Sequence, residues 1–134
     1  MLSNGVEEGY LNAHNNRILY VEDHVDSRTL MSMILKRAGY QVTAVETITE
    51  AQNLTQQGSF DLYLLDSKVA DGSGVMLCQQ LRQFDPDVPI LFYSGAAFEA
   101  DKEAALSAGA NAYLTKPMEM MDLTTTIAHF LKTP

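Results

Sequence analysis

The sequence predicts an α/β fold, a doubly wound parallel sheet of five strands with helices on both faces, and three observations carry that expectation. Short apolar runs alternate strictly with longer amphipathic ones from residue 17 onward. The apolar runs lack the in-out alternation of a sheet with one wet face, as strands buried on both sides do. Parallel neighbours also need crossover connections, and the amphipathic segments between the runs supply them.

Residues 1–16 are polar, Asn-rich and aperiodic, and read as a flexible leader or linker, leaving 17–134 as one domain. Strands are expected at Ile18 to Val21, Gln41 to Val45, Leu62 to Leu65, Pro89 to Tyr93 and Ala112 to Leu114. Helical spacing covers Asp26 to Ala38, Thr47 to Gln57, Val75 to Phe84, Phe98 to Ala108 and Met118 to Leu131. Gly39, Gly58 and Gly109 stand just past expected helix ends, where a left-handed residue closes the last turn. Thr47 with Glu50 has the spacing of a capping box.

Composition narrows the function. A formal charge of −8 repels a phosphate backbone, and no Lys/Arg cluster offsets it locally, so direct nucleic-acid binding is not expected. No apolar run approaches the roughly 20 residues of a membrane helix, and the N-terminus lacks signal-peptide order. The single cysteine, Cys78, excludes an internal disulfide and fits a reducing compartment, so the chain reads as cytoplasmic.

In an open parallel sheet the ligand site forms at the carboxyl ends of the strands, which makes the residues after each apolar run the informative ones. Here they are Glu22 and Asp23 after the first, Asp66 after the third, Ser94 after the fourth, and Thr115, Lys116 and Pro117 after the fifth. A strand order of 2-1-3-4-5 sets strands one and three side by side and brings Glu22, Asp23 and Asp66 together. Three ionised carboxylates in one pocket repel one another unless a cation joins them, and a hard divalent ion such as magnesium suits all-oxygen donors. Lys116 and Ser94 add groups suited to phosphoryl oxygens. With no serine-histidine or cysteine-histidine pair evident, the nucleophile has to be anionic already, and Asp66 is the candidate.

The segments ILYVEDH, DLYLLDSKVADGSG, ILFYSGA and GANAYLTKP together resemble the four motifs of response-regulator receivers of two-component signalling, in order and across nearly the whole chain after the leader. The resemblance implies a flavodoxin-like (βα)5 fold of the chemotaxis-receiver type. It also implies that Asp66 accepts a phosphoryl group from a phosphohistidine, with Mg2+ held by Asp23, Asp66 and the main-chain carbonyl of Lys68, and Glu22 acting through water. Lys116 then pairs with one phosphoryl oxygen, Ser94 swings to another, and Tyr113 is the aromatic switch that moves inward with it. The fourth helix, fifth strand and fifth helix form the remodelled surface. Implied partners are a histidine kinase or histidine phosphotransfer protein as donor, and a downstream protein or effector domain on that surface; pairing of two copies there is also implied. Such a domain is not an enzyme for other substrates but catalyses its own phosphorylation and dephosphorylation. The family also implies a cis bond between Lys116 and Pro117.

Two residues depart from the pattern: Ala70 stands where the family usually has proline, and Lys68 is more basic than many residues at its place. Lys68, two residues from Asp66, is a candidate to pair with it before metal binds. An aspartyl-nucleophile hydrolase of the haloacid-dehalogenase kind needs an acid where Lys68 stands, and a receiver that is never phosphorylated would lose the acidic residues that this chain keeps. His24 reads as a solvated loop residue rather than a metal ligand. The methionines at 31, 33, 118, 120 and 121 read as core filling or docking cover, and Cys78 as packing.

Overall fold

A computed structural model describes residues 16–117 and 120–131. Strands β1 (Arg17–Val21), β2 (Gln41–Val45), β3 (Leu62–Leu65), β4 (Ile90–Ser94) and β5 (Ala112–Thr115) form one sheet in the order β2-β1-β3-β4-β5. All of its pairings are parallel. Helices α1 (Val25–Arg37), α2 (Ile48–Gln57), α3 (Gly74–Phe84), α4 (Glu99–Ser107) and α5 (Met120–Leu131) make the connections and the last element. The expected topology is the observed one.

The absence of alternation in the strands follows from two cores, one on each face of the sheet. In β1, Leu19 and Val21 join a cluster with Ile48 and Ala51 of α2, Leu77 and Leu81 of α3 and Ala105 of α4. Ile18 and Tyr20 join the other, with Met31 and Leu35 of α1 and Leu123 and Ile127 of α5. A strand whose successive side chains all meet apolar neighbours reads as one continuous hydrophobic run.

Element boundaries fall within one residue of expectation, apart from the last helix, whose expected start at Met118 lies outside the described residues. Gly39 and Gly109 take left-handed φ values of 101° and 112° after α1 and α4. Gly58 corrects the expectation made for it: its φ of 179° is extended backbone, not the left-handed conformation of Gly39 and Gly109. Thr47 caps α2 by accepting from the Glu50 amide at 3.1 Å, and the Glu50 carboxylate accepts from the Glu46 amide and the Thr47 hydroxyl. His24 is exposed and caps α1, its Nδ1 accepting from the Ser27 amide.

The residues expected to form a leader lie outside the description except Asn16, whose carbonyl accepts from the Gln41 amide at the start of β2. Met31 fills the core at 2% exposure while Met33 stands exposed on α1; Met118 is outside the described residues, as are the side chains of Met120 and Met121. Cys78 is fully buried with its Sγ 3.5 Å from the Ala108 carbonyl, and burial pushes its thiol pKa up. Among the described residues no helix is long and apolar enough to cross a membrane.

One small element escaped the sequence reading. Lys68–Val69 and Gly72–Ser73 form a two-stranded antiparallel ribbon between β3 and α3, too short to show any period. Its turn carries Asp71, whose carboxylate accepts from the Ile48 amide at 2.7 Å, the Thr49 amide at 3.1 Å and the Thr49 hydroxyl at 2.8 Å. A carboxylate from a distant loop thus satisfies amides at the start of α2 that have no partner within the helix, and favours the positive end of its dipole. The Ile48 amide, with the Thr49 groups adding to it, holds the Asp71 carboxyl below its ordinary value of 3.8. A depressed carboxyl pKa adds stability that is present above the unfolded value and lost as pH falls through the folded one. Thermal melts of wild type and Asp71→Asn should therefore differ at neutral pH, wild type being the more stable, and converge as pH drops from 3.8 into the strongly acid range. A difference that persists unchanged at the acid end would refute this.

Candidate functional site

Strand register builds the site. Val21 and Leu65 are partners across β1 and β3, and beyond them the Asp66 amide still donates to the Val21 carbonyl at 3.1 Å. The Glu22 amide likewise donates to the Val45 carbonyl at 2.9 Å, and that of Lys116 to the Ser94 carbonyl at 2.8 Å. These bonds carry the ladders one residue past the strands and fix Glu22, Asp66, Ser94 and Lys116 along one edge of the sheet.

Glu22 is 1% exposed, and a carboxylate so buried requires partners. Its Oε1 accepts from the Lys116 ammonium at 2.5 Å and from the Tyr20 hydroxyl at 3.3 Å, and its Oε2 from the His24 amide at 3.1 Å. Burial, then the charge of Glu22 and the hydrogen bond to it, push the Tyr20 pKa far up, so this hydroxyl stays a donor. Lys116 also donates to Asp66 Oδ2 at 3.2 Å, and its Nζ lies 5.5 Å from the centre of the Tyr93 ring. Burial alone would lower the Lys116 pKa; the bond to Glu22 and the charges of Asp66 and Glu22 outweigh it and raise the value. The lysine is held charged, bridging two acids.

The other Asp66 oxygen, Oδ1, accepts from the Ser94 hydroxyl at 2.8 Å, and Ser94 Oγ accepts from the Ala96 amide at 3.2 Å. Tyr113 lies on Phe92, ring centres 5.7 Å apart and planes 12° from parallel, with its hydroxyl donating to the Ala96 carbonyl at 2.5 Å. Ser67, 6% exposed, places its hydroxyl 2.8 Å from the Tyr113 oxygen. The bond between Lys116 and Pro117 is cis, as expected.

The structure thus joins Glu22, Asp66, Ser94 and Lys116 directly and Tyr113 through Ala96, while Asp23 stands exposed beside them. Among the described residues no three His, Cys, Asp or Glu side chains stand as one metal-holding group, and the cation shared by Glu22 and Asp66 is Lys116. A buried carboxylate needs its countercharge permanently, and a lysine on the neighbouring loop provides it. The pairing of Lys68 with Asp66 is likewise absent: Lys68 is exposed on the ribbon, and the ion pairs of the Asp66 carboxylate run to Lys116. The donors left for a divalent ion are hard oxygens at two adjacent strand ends, those of Asp23 and of the 13%-exposed Asp66 side chain, which suit magnesium. Ser67, Asp71 and Tyr20 were missed by the sequence reading, since a hydroxyl in an apolar run or an acid in a turn gives no signal until its partner is known.

A family model described as the response regulator receiver domain matches residues 18–128. The transcriptional regulatory protein YrkP of Bacillus subtilis is 38% identical over 107 residues, which are 80% of this chain and 46% of that protein. The regulatory protein VanR of Enterococcus faecium is 32% identical over 109 residues, 81% and 47% of the two chains. The chain therefore spans about half the length of the curated relatives it matches. Among solved structures, a CheY-like receiver domain protein from Methanospirillum hungatei JF-1 superposes with a TM-score of 0.84 at 30% identity, covering 87% of this chain and 94% of that one. The receiver domain of sensor histidine kinase PA1611 from Pseudomonas aeruginosa, solved with a magnesium ion coordinated in its active site cleft, superposes at 0.81 with 27% identity over 89% and 99% of the chains. A sheet-edge acid held between a lysine and a serine, and a family match running over almost every described element, lead to one conclusion: the chain belongs to the response regulator receiver domain family.

Proposed function

We propose that Asp66 is the phosphoacceptor of this two-component receiver and that the unit 17–134 works as a switch set by its modification. The observation that carries this is the Asp66 carboxylate, 13% exposed, with an ammonium on one oxygen and a hydroxyl on the other. In transfer, an Asp66 oxygen forms a bond to phosphorus while the P–N bond to the donor's imidazole breaks and its electron pair leaves with the ring. No general base is needed because the nucleophile carries no proton. Lys116 follows the negative charge to one phosphoryl oxygen, and the Ser94 hydroxyl donates to another. Charge developing on these oxygens meets groups already in position, which is how phosphoryl transfer is accelerated.

Magnesium would be held by Asp23, Asp66 and the main-chain carbonyl of Lys68, with Glu22 acting through water. Its contribution when bound is neutralisation of charge between the carboxylates and the phosphoryl group. The domain catalyses its own phosphorylation and dephosphorylation and turns over no other substrate. The donor is a histidine kinase or a histidine phosphotransfer protein, and the output partner, a downstream protein, an effector domain or a second copy, reads the face made by α4, β5 and α5. The work is cytoplasmic and makes no direct nucleic-acid contact.

Beryllofluoride, an analogue of the phosphoryl group on aspartate, tests this directly. With magnesium present, wild type should show a saturable change in tyrosine fluorescence or in its amide NMR spectrum. Asp66→Asn should abolish that change while keeping the fold. A wild-type protein that binds neither magnesium nor beryllofluoride rules the proposal out.

A further inference from the structure

Four hydrogen bonds form a chain that leaves residue 66 and returns to residue 67. Asp66 Oδ1 accepts from the Ser94 hydroxyl, whose oxygen accepts from the Ala96 amide; the Ala96 carbonyl accepts from the Tyr113 hydroxyl, whose oxygen lies 2.8 Å from Ser67 Oγ. The direction of the last bond is fixed by counting protons. Tyr113 has one hydroxyl proton, and a carbonyl only accepts, so that proton goes to Ala96 and Ser67 must donate to the tyrosine. Ser67 is one of three buried polar or charged residues among those described, the others being Glu22 and Ser94 of the site itself. A buried hydroxyl needs a partner, and Tyr113 in its inward position provides one.

From this ring of contacts we propose that Ser67 is a positioning residue, which holds Tyr113 inward through its hydroxyl and so biases the switch toward the inward state before Asp66 is modified. The proposal rests on Tyr113 being the switch and Asp66 the phosphoacceptor. An outward Tyr113 would strand the Ser67 hydroxyl at 6% exposure, whereas an inward one satisfies it. The Phe92 ring favours the same position through stacking, so the serine acts on a conformer that packing already supports. A domain pre-set in this way needs less differential binding from the modification to complete its switch.

The test compares wild type, Ser67→Ala and Ser67→Thr, each labelled with 3-fluorotyrosine, with the Tyr113 signal assigned by Tyr113→Phe. Losing one net hydrogen bond of about 1 kcal/mol should raise the outward-to-inward ratio of Tyr113 about five-fold, and raise the beryllofluoride concentration for half-saturation in proportion to the inward population lost. Ser67→Thr, which keeps the hydroxyl, should restore both values toward wild type. In a Tyr113→Phe background, Ser67→Ala should change half-saturation less than two-fold, since no tyrosine hydroxyl is left to hold; a purely structural role for Ser67 would show the same penalty in both backgrounds. An unchanged fluorine spectrum with unchanged half-saturation overturns the proposal, as does an equal penalty in the two backgrounds. A wild-type protein with no beryllofluoride response sinks the phosphoacceptor assignment instead, and the fluorine populations then still report on Ser67.

Discussion

Lys116→Met is expected to destabilise the domain by about 3 kcal/mol at neutral pH, the lower end of what removing one partner of a buried ion pair costs. The reason lies with Glu22, which is buried at 1% exposure and whose countercharge is the Lys116 ammonium. The Tyr20 hydroxyl and the His24 amide would still donate to it, which places the loss at the low end of the range, but neither carries charge. A further result follows from the same cause. Glu22→Gln added to Lys116→Met should recover most of the lost stability, because a neutral amide tolerates the site without a cation. Urea titrations of wild type, Lys116→Met and the double variant, with slopes compared before midpoints are interpreted, measure all of this. A loss under about 1 kcal/mol at pH 7, or a double variant no more stable than Lys116→Met, would show that Glu22 does not depend on the lysine. Phosphoryl acceptance should fail in Lys116→Met whatever its stability, so transfer assays belong at a temperature where the variant remains folded.

The same lysine marks how far the sequence could be read. The alternation of apolar runs and amphipathic segments is a property of each segment by itself, so five strands, five helices and their order were legible before any contact was known. Placement of Glu22, Asp66, Ser94 and Lys116 at one edge followed as well, because all four come directly after, or at the end of, strands in a parallel sheet. What the sequence could not carry was pairing. It called for a cation among the acids but gave no sign that Lys116 is shared between Glu22 and Asp66. It weighed Lys68 as the partner of Asp66 from nearness along the chain, and the ribbon leaves that side chain exposed. Gly58 looked like Gly39 and Gly109 in sequence, yet it is extended where they are left-handed. Ser67 and Asp71 depend on partners 46 and 23 residues away along the chain, a separation no local pattern encodes.

A second large effect is expected where no side chain performs chemistry. Gly74 opens α3 and donates its amide to the Ser67 carbonyl at 2.9 Å, drawing the helix start against the end of β3. A Cβ built there would stand 2.0 Å from the Asp66 carbonyl oxygen, 3.0 Å from the carbonyl carbon and 3.1 Å from the Phe92 ring. No rotamer change relieves a clash between a Cβ and backbone, so Gly74→Ala must move either the helix or the peptide of Asp66. Overpacking of a rigid site costs about 3 kcal/mol at its upper end, and this contact belongs there. Displacing the Asp66 peptide would also disturb the Ser94 and Lys116 bonds to its carboxylate, which span 2.8 and 3.2 Å. The beryllofluoride response of Gly74→Ala should therefore weaken at least ten-fold even at temperatures where the protein is folded. Gly95→Ala is the matched control for stability, since a Cβ there meets nothing within 4 Å and the change should stay within about 0.5 kcal/mol. Equal stabilities for the two alanine variants would mean that the close approach of α3 to the Asp66 peptide is not a constraint on the fold. A destabilised Gly74→Ala with wild-type beryllofluoride affinity would mean that the helix, rather than the Asp66 peptide, gives way.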